Sequence, residues 1–448
     1  MEPREIAQAG AEMPTDRLSV QTGDGMSAAP LSTQSAVDSA SATAADTRAP
    51  FASIGGVTPA AFHALPTPCY LLDEAQLQAN AEILGALAER TGCRILLAQK
   101  AFSNYDLYPI LAPHLAGTEA SGLYEARLGA EEMPGKEVHV FCAAYREDEM
   151  EELIRYADHI VFNSPAQLLK FGPQAKAAGK SLGLRINPEH STQDGHAIYD
   201  PCAPGSRLGT TRAQWEAAVS AHPELPQLLD GLHFHTLCEQ DADALAETLD
   251  AVAEKFGDLL PKLTWLNFGG GHHITRPGYD IALLEQCIRR AQDSWDVTVY
   301  LEPGEACALN AGYLLTHVLD VVKNGDTSVA ILDASAACHM PDVIEMPYRP
   351  PLLQAGDAGK KACTVRLAGP TCLAGDVIGD YSFDTEPKIG DLLVFGDMAI
   401  YTTCKNNTFN GMPLPAIVTR KPDGCTEEIV HFGYRDFKYR LGRTSYKP

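Results

Sequence analysis

The chain has no uninterrupted apolar stretch approaching the ~20 residues that a membrane-spanning helix needs. Its opening stretch, MEPREIAQAGAEMPTDRLSV, lacks a basic region followed by an apolar core, which is the pattern of a secretory signal. We therefore expect no membrane partner and a cytoplasmic location.

Positive charge is scarce in this sequence. The 448 residues carry 35 Lys and Arg against 58 Asp and Glu, and the formal net charge is -23. Binding to nucleic acid requires a basic face, so no nucleic-acid partner is expected. An acidic field concentrates cationic substrates, although acidity is also a common way of keeping a protein soluble.

Closely spaced cysteine pairs are missing too. The twelve cysteines are scattered along the chain, with no C-x-x-C motif and no zinc-ligand spacing. We expect reduced thiols that pack mostly as small core residues, and no metal site.

Residues 1–55 form a leader that is rich in Ala, Ser, Thr and Gly and has few aromatic residues. Such a composition buries too little apolar surface to offset the entropy of ordering, so the leader is predicted to be disordered. A transit peptide explains it less well, because such peptides avoid the acidic residues that occur here.

From about residue 66, apolar runs alternate with amphipathic segments. Segments such as EAQLQANAEILGALAERTG have apolar residues at the spacing of one helix face, and continuous apolar runs are typical of buried parallel strands. Eight such units in succession predict a (β/α)8 barrel over residues 66–308, with a doubly wound sheet as the alternative. The runs are RILLAQK (94–100), GTEAS (117–121), EVHVFCAA (137–144), HIVFN (159–163), SLGLRIN (181–187), DGLHFHT (230–236), LTWLNFGGG (263–271) and VTVYLEPG (297–304).

The pattern changes after residue 308 to strand-like runs separated by Gly, Pro and Asp turns. Long helical patterns are missing from this part, so residues 309–448 are predicted to form an antiparallel β-sandwich or β-barrel domain. Approximately residues 56–75 are assigned to the same domain, because TPCYLLD (67–73) is also strand-like.

Polar side chains and glycines fall at the predicted strand ends, where a barrel of this kind carries its active site. They are Lys100, Arg185, His235, Gly269, Gly270, Gly271 and Glu302. A lysine amine forms a Schiff base with an aldehyde, and glycines let backbone N–H groups approach a phosphate. A histidine ring can stack on a flat ligand, and a carboxylate opposite a pyridine nitrogen keeps that nitrogen protonated. Together these features point to pyridoxal phosphate.

Longer motifs carry a resemblance that covers the chain from about residue 66 to the C-terminus. They are AQKA around Lys100, HFHTLCE (233–239), FGGG (268–271), EPGE (302–305), GPTC (369–372) and YTTCKNNTFNG (401–411). The sequence resembles the pyridoxal-phosphate enzymes of the alanine-racemase fold (fold type III), and among these the basic amino-acid decarboxylases. DASAACHMPDVIEMPYRP and GPTCLAGDVIGDY look most like the subfamily that decarboxylates carboxynorspermidine and carboxyspermidine in polyamine biosynthesis.

The resemblance implies a role for each cofactor residue. Lys100 would hold the cofactor as a Schiff base, His235 would stack on its ring, and Glu302 would face the pyridine nitrogen. The other residues implied to bind the cofactor are Arg185 and, at its phosphate, Gly269, Gly270, Gly271 and Tyr401.

Cys372 in GPTC is implied to be the acid that returns a proton to the substrate carbon. In the family the site lies at a dimer interface. We therefore expect a homodimer in which Cys372 serves the Lys100 of the partner chain.

The sequence departs from the family pattern at positions that bear on the substrate. Ornithine-type enzymes have an arginine after EPG that assists at the phosphate, but here the residue is Glu305, which we expect to face a cation. They also have an aspartate after the GPTC cysteine, where this chain has Leu373. Glu305, Asp342 and Asp376 are therefore the candidate substrate-binding residues. Cys238 stands where relatives often have a serine near the phosphate.

Other functions on this fold stay open. A racemase needs a base on the opposite ring face and favours an arginine at the pyridine nitrogen, so Glu302 and Cys372 count against it. A cofactor-binding homeostasis or regulatory protein would lack the β domain that carries Cys372 and Tyr401. Diaminopimelate or another basic amino acid is the alternative decarboxylase substrate, but the distal carboxylate of diaminopimelate calls for a cation where this chain has Glu305.

Overall fold

Residues 62–193 and 200–442 are described in the computed structural model. The chain divides into two units, residues 1–48 and 49–448, and all of the described residues belong to the second. The predicted disordered leader (1–55) therefore lies outside the described residues, as do residues 56–61 of the predicted β-domain segment.

Asp73 joins the first strand to the first helix. It is the last residue of β1 (Cys69–Asp73) and precedes α1 (Glu74–Thr91). Its Oδ1 accepts hydrogen bonds from the N–H groups of Ala75 (3.0 Å) and Gln76 (3.2 Å), which caps the helix. Its Oδ2 accepts from the buried guanidinium of Arg420 at 3.0 Å. One carboxylate thus fixes a strand, a helix and a distant part of the chain together.

The strands that follow are parallel and close into an eight-stranded barrel. The last of them pairs back onto the first, through Arg94 with Tyr300 and Ile95 with Leu301. This closure confirms the predicted barrel and excludes the doubly wound sheet. The barrel strands are β2 (Arg94–Ala98), β3 (Gly117–Ala120), β4 (Glu137–Cys142), β5 (His159–Phe162), β6 (Ser181–Arg185), β7 (Gly231–His233), β8 (Trp265–Asn267) and β9 (Thr298–Leu301).

The connections between barrel strands carry the helices, whose apolar faces pack on the outside of the barrel. Among the described residues, no helix is both long enough and apolar enough to cross a membrane. The helices after α1 are α2 (Tyr108–Leu111), α3 (Leu123–Glu132), α4 (Met150–Tyr156), α5 (Pro165–Ala177), α6 (Arg212–Ala221), α7 (Leu225–Leu228), α8 (Ala242–Phe256), α9 (Ile281–Trp295) and α10 (Glu305–Ala308).

The remaining strands form a mixed sheet, in the order β12-β14-β13-β11-β10-β1-β16-β17 with β15 also paired to β10. The pairs β1–β16 and β11–β13 are parallel. The prediction of a wholly antiparallel sheet is therefore wrong. The strands are β10 (Gly312–Asn324), β11 (Thr327–Leu332), β12 (Gly356–Asp357), β13 (Cys363–Ala368), β14 (Val377–Phe383), β15 (Leu392–Gly396), β16 (Ala416–Arg420) and β17 (Thr426–Val430), with short helices α11 (Ala336–His339), α12 (Asp342–Glu345) and α13 (Tyr434–Tyr439).

The long strand β10 organises this sheet. Its first half pairs with β1 and β15, and its second half pairs with β11 after a register shift between Val318 and Asp320. Such a shift bends a strand and lets it serve two differently oriented groups of neighbours. We keep residue 308, the end of α10, as the proposed boundary between barrel and sheet, because β10 begins at Gly312 and pairs with the sheet.

A polar cluster lies at the N-terminal ends of the barrel strands, opposite the rim where a site is expected. Glu137 pairs with Arg94 (2.8 Å) and lies 3.1 Å from His139 Nε2, while the rings of His139 and His159 stack at 3.9 Å. The carboxylate of Glu137 and the imidazoles of His139 and His159 are groups of the kind that ligate metals. However, Arg94 already neutralises Glu137, and parallel stacked rings cannot direct their nitrogens at one ion. We assign the cluster a structural role.

Gly183 and Gly231 make room for the Trp265 indole, which packs in the barrel interior. A Cβ on Gly231 would lie 2.0 Å from Trp265 Cδ2, and one on Gly183 would lie 2.3 Å from Trp265 Cη2. The indole cannot easily move aside, because its Nε1 donates to Ser181 Oγ at 2.9 Å. Glycine at these positions is therefore a packing requirement of the barrel.

Replacing Gly231 by alanine should destabilise the protein, because the added methyl group overlaps the fixed indole. We expect Gly231→Ala to lower the free energy of unfolding by about 3 kcal/mol, at the upper end of overpacking effects. Gly433→Ala is the control, since no atom lies within 4 Å of its Cβ position. Thermal unfolding compares the two variants, and equal midpoints would contradict the packing role of Gly231.

Candidate active site

The predicted site residues meet at the C-terminal rim of the barrel, because parallel strands of a closed barrel all end on one side. The loop after β8 touches the loop after β7, where the Gly270 N–H donates to His235 Nδ1 at 3.0 Å. Arg185, the last residue of β6, donates from Nη2 to the His235 carbonyl at 3.0 Å. Its guanidinium also stacks on Phe141, with Cζ 4.6 Å from the ring centroid. Arg185 therefore fixes the loop that carries His235.

Glu302 follows β9 and is buried at the centre of the rim. Its Oε2 lies 3.0 Å from His233 Nε2, and its Oε1 accepts from the Asn267 amide at 2.7 Å. Burial alone would raise the pKa of Glu302, but the hydrogen bond and charge of His233, assisted by the charge of Lys100, lower it below its ordinary value. The site thus contains a carboxylate that stays ionised although it is buried.

Lys100 lies just beyond β2, and its side chain is about one-third exposed (34%). Its Nζ is 3.7 Å from Oε2 of Glu119, a residue of β3 whose side chain is buried. Burial raises the pKa of Glu119 to about 8, even though the charge of Lys100 opposes that shift. Sequence analysis did not single out Glu119, although an acidic residue inside a short buried strand was a visible signal.

The glycine run after β8 is required by close backbone contacts. Gly269 and Gly271 have φ of +70° and +81°, and a Cβ on Gly271 would lie 2.0 Å from the Leu237 carbonyl oxygen. The Gly269 N–H donates to Asn267 Oδ1 and the Gly270 N–H donates to His235. Of the three glycine amides, that of Gly271 is the one best placed to serve a phosphate, because the other two already donate within the protein.

The segment around Tyr401 folds over the loop that carries Lys100. The Tyr401 N–H donates to the Ala101 carbonyl at 2.9 Å, and the Cys404 thiol donates to the Lys100 carbonyl at 3.1 Å. Tyr401 has a positive φ of 49°, which is unfavourable for a bulky residue and is found where surrounding structure imposes it. Burial, with a contribution from Glu305, raises the pKa of its phenol, so the hydroxyl keeps its proton.

Two of the candidate substrate-binding carboxylates face basic groups of the protein itself. Glu305 Oε2 lies 3.3 Å from Nε2 of buried His273. Burial opposes protonation of His273, but the carboxylate of Glu305 raises its pKa overall. Lys405 contacts Asp342 and also lies 2.6 Å from Glu345. Sequence analysis missed both basic partners, although HH follows the glycine run and Lys405 lies in the YTTCKNNTFNG motif.

Asp376 is buried under the loop that carries Cys372. Its carboxylate accepts hydrogen bonds from Ser335 Oγ (2.9 Å), Thr371 Oγ1 (2.6 Å) and the Ala337 N–H (3.2 Å). Its lone pairs are therefore engaged in shaping this loop.

Cys372 itself is exposed, and its N–H donates to Asn410 Oδ1 at 2.8 Å. Asn410 has a positive φ of 55°. Leu373 and Phe409 beside this bond are also exposed (43% and 44%), so the thiol lies on an apolar surface patch. Cys238, in contrast, is partly buried, and burial raises the pKa of its thiol to about 12, which keeps it neutral.

The donor set suits pyridoxal phosphate. An amine at Lys100 matches its aldehyde, and the ionised Glu302 matches a protonated ring nitrogen. Burial holds the pKa of His235 well below its usual range, so its imidazole is neutral and presents a flat ring. The tight turn at Gly271 leaves room for a phosphate, and the hydroxyl of Tyr401 is a hydrogen-bond donor to it. We therefore take Lys100, Glu302, His235, Gly271 and Tyr401 as the residues that would hold this cofactor.

Comparison with known proteins gives consistent matches over most of the chain. The family model described as pyridoxal-dependent decarboxylase, C-terminal sheet domain, matches residues 42–399. The carboxynorspermidine/carboxyspermidine decarboxylase of Campylobacter jejuni is 41% identical over 390 residues, which cover 85% of this chain and 99% of that protein. The carboxyaminopropylagmatine decarboxylase of Synechocystis is 42% identical over 382 residues, covering 84% of this chain and 96% of that protein.

A solved structure agrees with these relatives. The crystal structure of carboxynorspermidine decarboxylase from Campylobacter jejuni, complexed with norspermidine, superposes with a TM-score of 0.76 at 40% identity. The match covers 84% of this chain and 100% of that one. With the rim geometry described above, these similarities confirm the family expected from the sequence: the chain belongs to the pyridoxal-dependent decarboxylases.

Proposed function

We propose that this protein decarboxylates carboxynorspermidine, carboxyspermidine or both, as part of polyamine biosynthesis. The observation that carries the proposal is the placement of the Lys100 amine and the ionised Glu302 carboxylate on one barrel rim. The printed activities of relatives at 41–42% identity support this choice of substrate class. A racemase and a non-enzymatic role are set aside because the family is one of decarboxylases.

Each rim residue has a defined task in this reaction. When bound, pyridoxal phosphate supplies an electron-accepting ring that takes up the electron pair left on the substrate carbon as CO2 departs. Lys100 would hold the cofactor through Nζ, and Glu302, kept ionised by His233 and Asn267, would hold a proton at the ring nitrogen. Buried preorganised charges of this kind typically contribute about 3 kcal/mol each to catalysis. His235 would lie against the ring, oriented by Arg185.

We further propose that Cys372 acts in a homodimer, as the proton donor for the site of the partner chain. Its exposed thiol lies beside exposed Leu373 and Phe409, and apolar surface of this kind favours a protein interface. Asp376 would position the Cys372 loop instead of binding substrate, since its carboxylate is buried and hydrogen-bonded. All twelve cysteines are free, which supports a reducing, cytoplasmic location.

The distal ammonium groups of the substrate would bind near Glu305 and Asp342. Each of these carboxylates has a basic group of the protein beside it, His273 or Lys405. A substrate ammonium would therefore share or displace these partners. Carboxyaminopropylagmatine is a second candidate substrate, because it is the substrate named for the Synechocystis relative, and its distal guanidinium would meet the same carboxylates.

A substrate panel tests the proposed function directly. We expect CO2 release from carboxynorspermidine, carboxyspermidine or carboxyaminopropylagmatine at least about tenfold faster, as kcat/KM, than from diaminopimelate, ornithine or arginine, a difference worth about 1.4 kcal/mol. The distal carboxylate of diaminopimelate would face Glu305 unfavourably. Fastest turnover of diaminopimelate would contradict the proposal.

Removal of the Lys100 amine should abolish covalent attachment of the cofactor. We expect Lys100→Ala to lose the visible absorbance of lysine-bound pyridoxal phosphate while unfolding at the midpoint of cofactor-free wild-type protein, because Lys100 is partly exposed and not a packing residue. Lys170→Ala, which removes an exposed lysine that pairs with Glu147, is the control and should keep the absorbance. Normal absorbance in Lys100→Ala would rule out this assignment.

Mixing two inactive variants tests the shared site. Lys100→Ala and Cys372→Ala homodimers should each be inactive or nearly so, and re-equilibrated mixtures should recover about one quarter of wild-type activity, because each mixed dimer contains one intact site. A mixture that stays inactive although native mass spectrometry shows mixed dimers would place both residues in the same chain's site.

Neutralising Lys405 should strengthen binding of a polycationic substrate, since Asp342 and Glu345 would lose their internal partner. We expect Lys405→Met to lower KM for carboxynorspermidine about fivefold, which corresponds to the ~1 kcal/mol typical of a partly exposed ion pair. Lys361→Met, which breaks an ion pair with Asp384, should leave KM unchanged. A raised KM in Lys405→Met would show that Lys405 itself contacts the substrate.

A further inference from the structure

Glu119 is the one carboxylate that approaches Lys100 Nζ within ion-pair distance in the described part of the chain. It is the third residue of β3, and its side chain is 1% exposed. Its Oε2 lies 3.7 Å from Nζ, and within residues 62–193 and 200–442 no hydrogen bond satisfies this oxygen. An unsatisfied buried carboxylate oxygen is destabilising by about 1–3 kcal/mol or more. Its retention beside a reactive amine therefore suggests a functional use.

Charged groups from several elements act on Glu119. Burial raises its pKa to about 8, and the nearby carboxylates of Glu302 and Glu125 raise it as well. Lys100 and Arg185 lower it. Glu119 therefore changes protonation state close to neutral pH, where a carboxyl group normally is fully ionised.

The other titratable groups of the rim are poorly suited to exchange protons with the lysine. Glu302 is held ionised by His233 and Asn267, and both of its oxygens are engaged. The pKa of His235 lies well below its usual range because of burial, so its imidazole is a weak proton acceptor. Proton exchange is most efficient when the pKa of the group lies near the working pH, which among these residues holds for Glu119.

We propose that Glu119 is the proton-exchange partner of Lys100. This inference rests on the proposed function, in which Lys100 Nζ is attached to the cofactor between turnovers and released during each turnover. On release, the O–H bond of the Glu119 carboxyl breaks and an N–H bond forms on the Lys100 amine, giving a carboxylate and an ammonium group. Before Lys100 reattaches, the same proton returns to Glu119, because only the neutral amine is a nucleophile. No other reactant is consumed.

The test uses holoenzyme carrying Glu119→Gln, which keeps the shape of the side chain but cannot titrate. We expect kcat to fall about 100-fold or more, with KM changed less than about threefold, because proton exchange typically contributes 10²–10⁴-fold to a rate. The kcat of this variant should rise with pH across the neutral range, because without Glu119 the Lys100 amine must pass its proton to bulk water. Glu119→Asp, which keeps a carboxyl group, should retain the wild-type shape of the pH profile.

A second readout does not depend on turnover. In resting holoenzyme, the visible absorbance of the bound cofactor reports whether Nζ is protonated. Glu119 holds its proton in this state near neutral pH and ionises as the pH rises through about 8. Its carboxylate then favours the protonated form of Nζ, so its loss in Glu119→Gln should lower the midpoint of that titration by about 1–3 pH units. Glu125→Gln is the matched control, because it removes a nearby carboxylate that bonds to the Ser121 N–H instead of facing Nζ. The control should shift the midpoint by less than half as much.

The possible outcomes separate the two proposals. If Glu119→Gln binds the cofactor normally but leaves both the pH profile and the absorbance titration unchanged, or if Glu125→Gln reproduces its effects, Glu119 has no role in proton exchange. If wild-type protein prepared with pyridoxal phosphate shows no lysine-bound absorbance, the proposed function fails, and this inference fails with it.

Discussion

Closure of the barrel by pairing β9 with β2 is the constraint on which the site depends. It forces the residues after eight strands onto one rim, so that groups far apart in the chain come within hydrogen-bond distance. The contact between Gly270 and His235, and that between Arg185 and the His235 carbonyl, both join neighbouring strand ends. An open sheet would spread these side chains along an edge. The packing of Trp265 against Gly183 and Gly231 therefore supports the chemistry at the other end of the barrel, because it permits closure.

Two buried glutamates at the rim have pKa values that are shifted in opposite directions. Glu302 is buried with hydrogen-bond donors on both oxygens, which keeps its charge and provides a permanent anion. Glu119 is buried with one oxygen unsatisfied and with further carboxylates nearby, which raises its pKa and lets it titrate. Residue type alone does not distinguish the two carboxylates, since both are glutamates at or near the end of a strand. The difference in donors assigns one to charge stabilisation and the other to proton exchange.

The sequence predicted those parts of the structure that depend on local pattern. Buried parallel strands appear as apolar runs, so each of the eight barrel strands fell within a predicted run. The parallel pairing of β1 with β16 was not predicted, because sheet order is set by contacts between distant segments. For the same reason the motifs identified Glu305 and Asp342 as acidic candidates but not their partners His273 and Lys405. Which groups interact depends on their distance in the folded structure, and the spacing of residues along the chain does not determine that distance.

These partners change how substrate selectivity is understood. A chain with a formal charge of -23 suggests a site that attracts polycations by acidity alone. Yet Glu305 and Asp342 already interact with His273 and Lys405. The net binding free energy of a substrate ammonium group is therefore only the difference between its own interactions with these carboxylates and the interactions that it replaces. Such exchange favours a ligand whose cations match the spacing of both carboxylates over one that carries a single charge. If the substrate binds at Glu305 and Asp342 as proposed, selectivity would come from the geometry of charge replacement, while the overall acidity of the chain would mainly raise the rate of encounter.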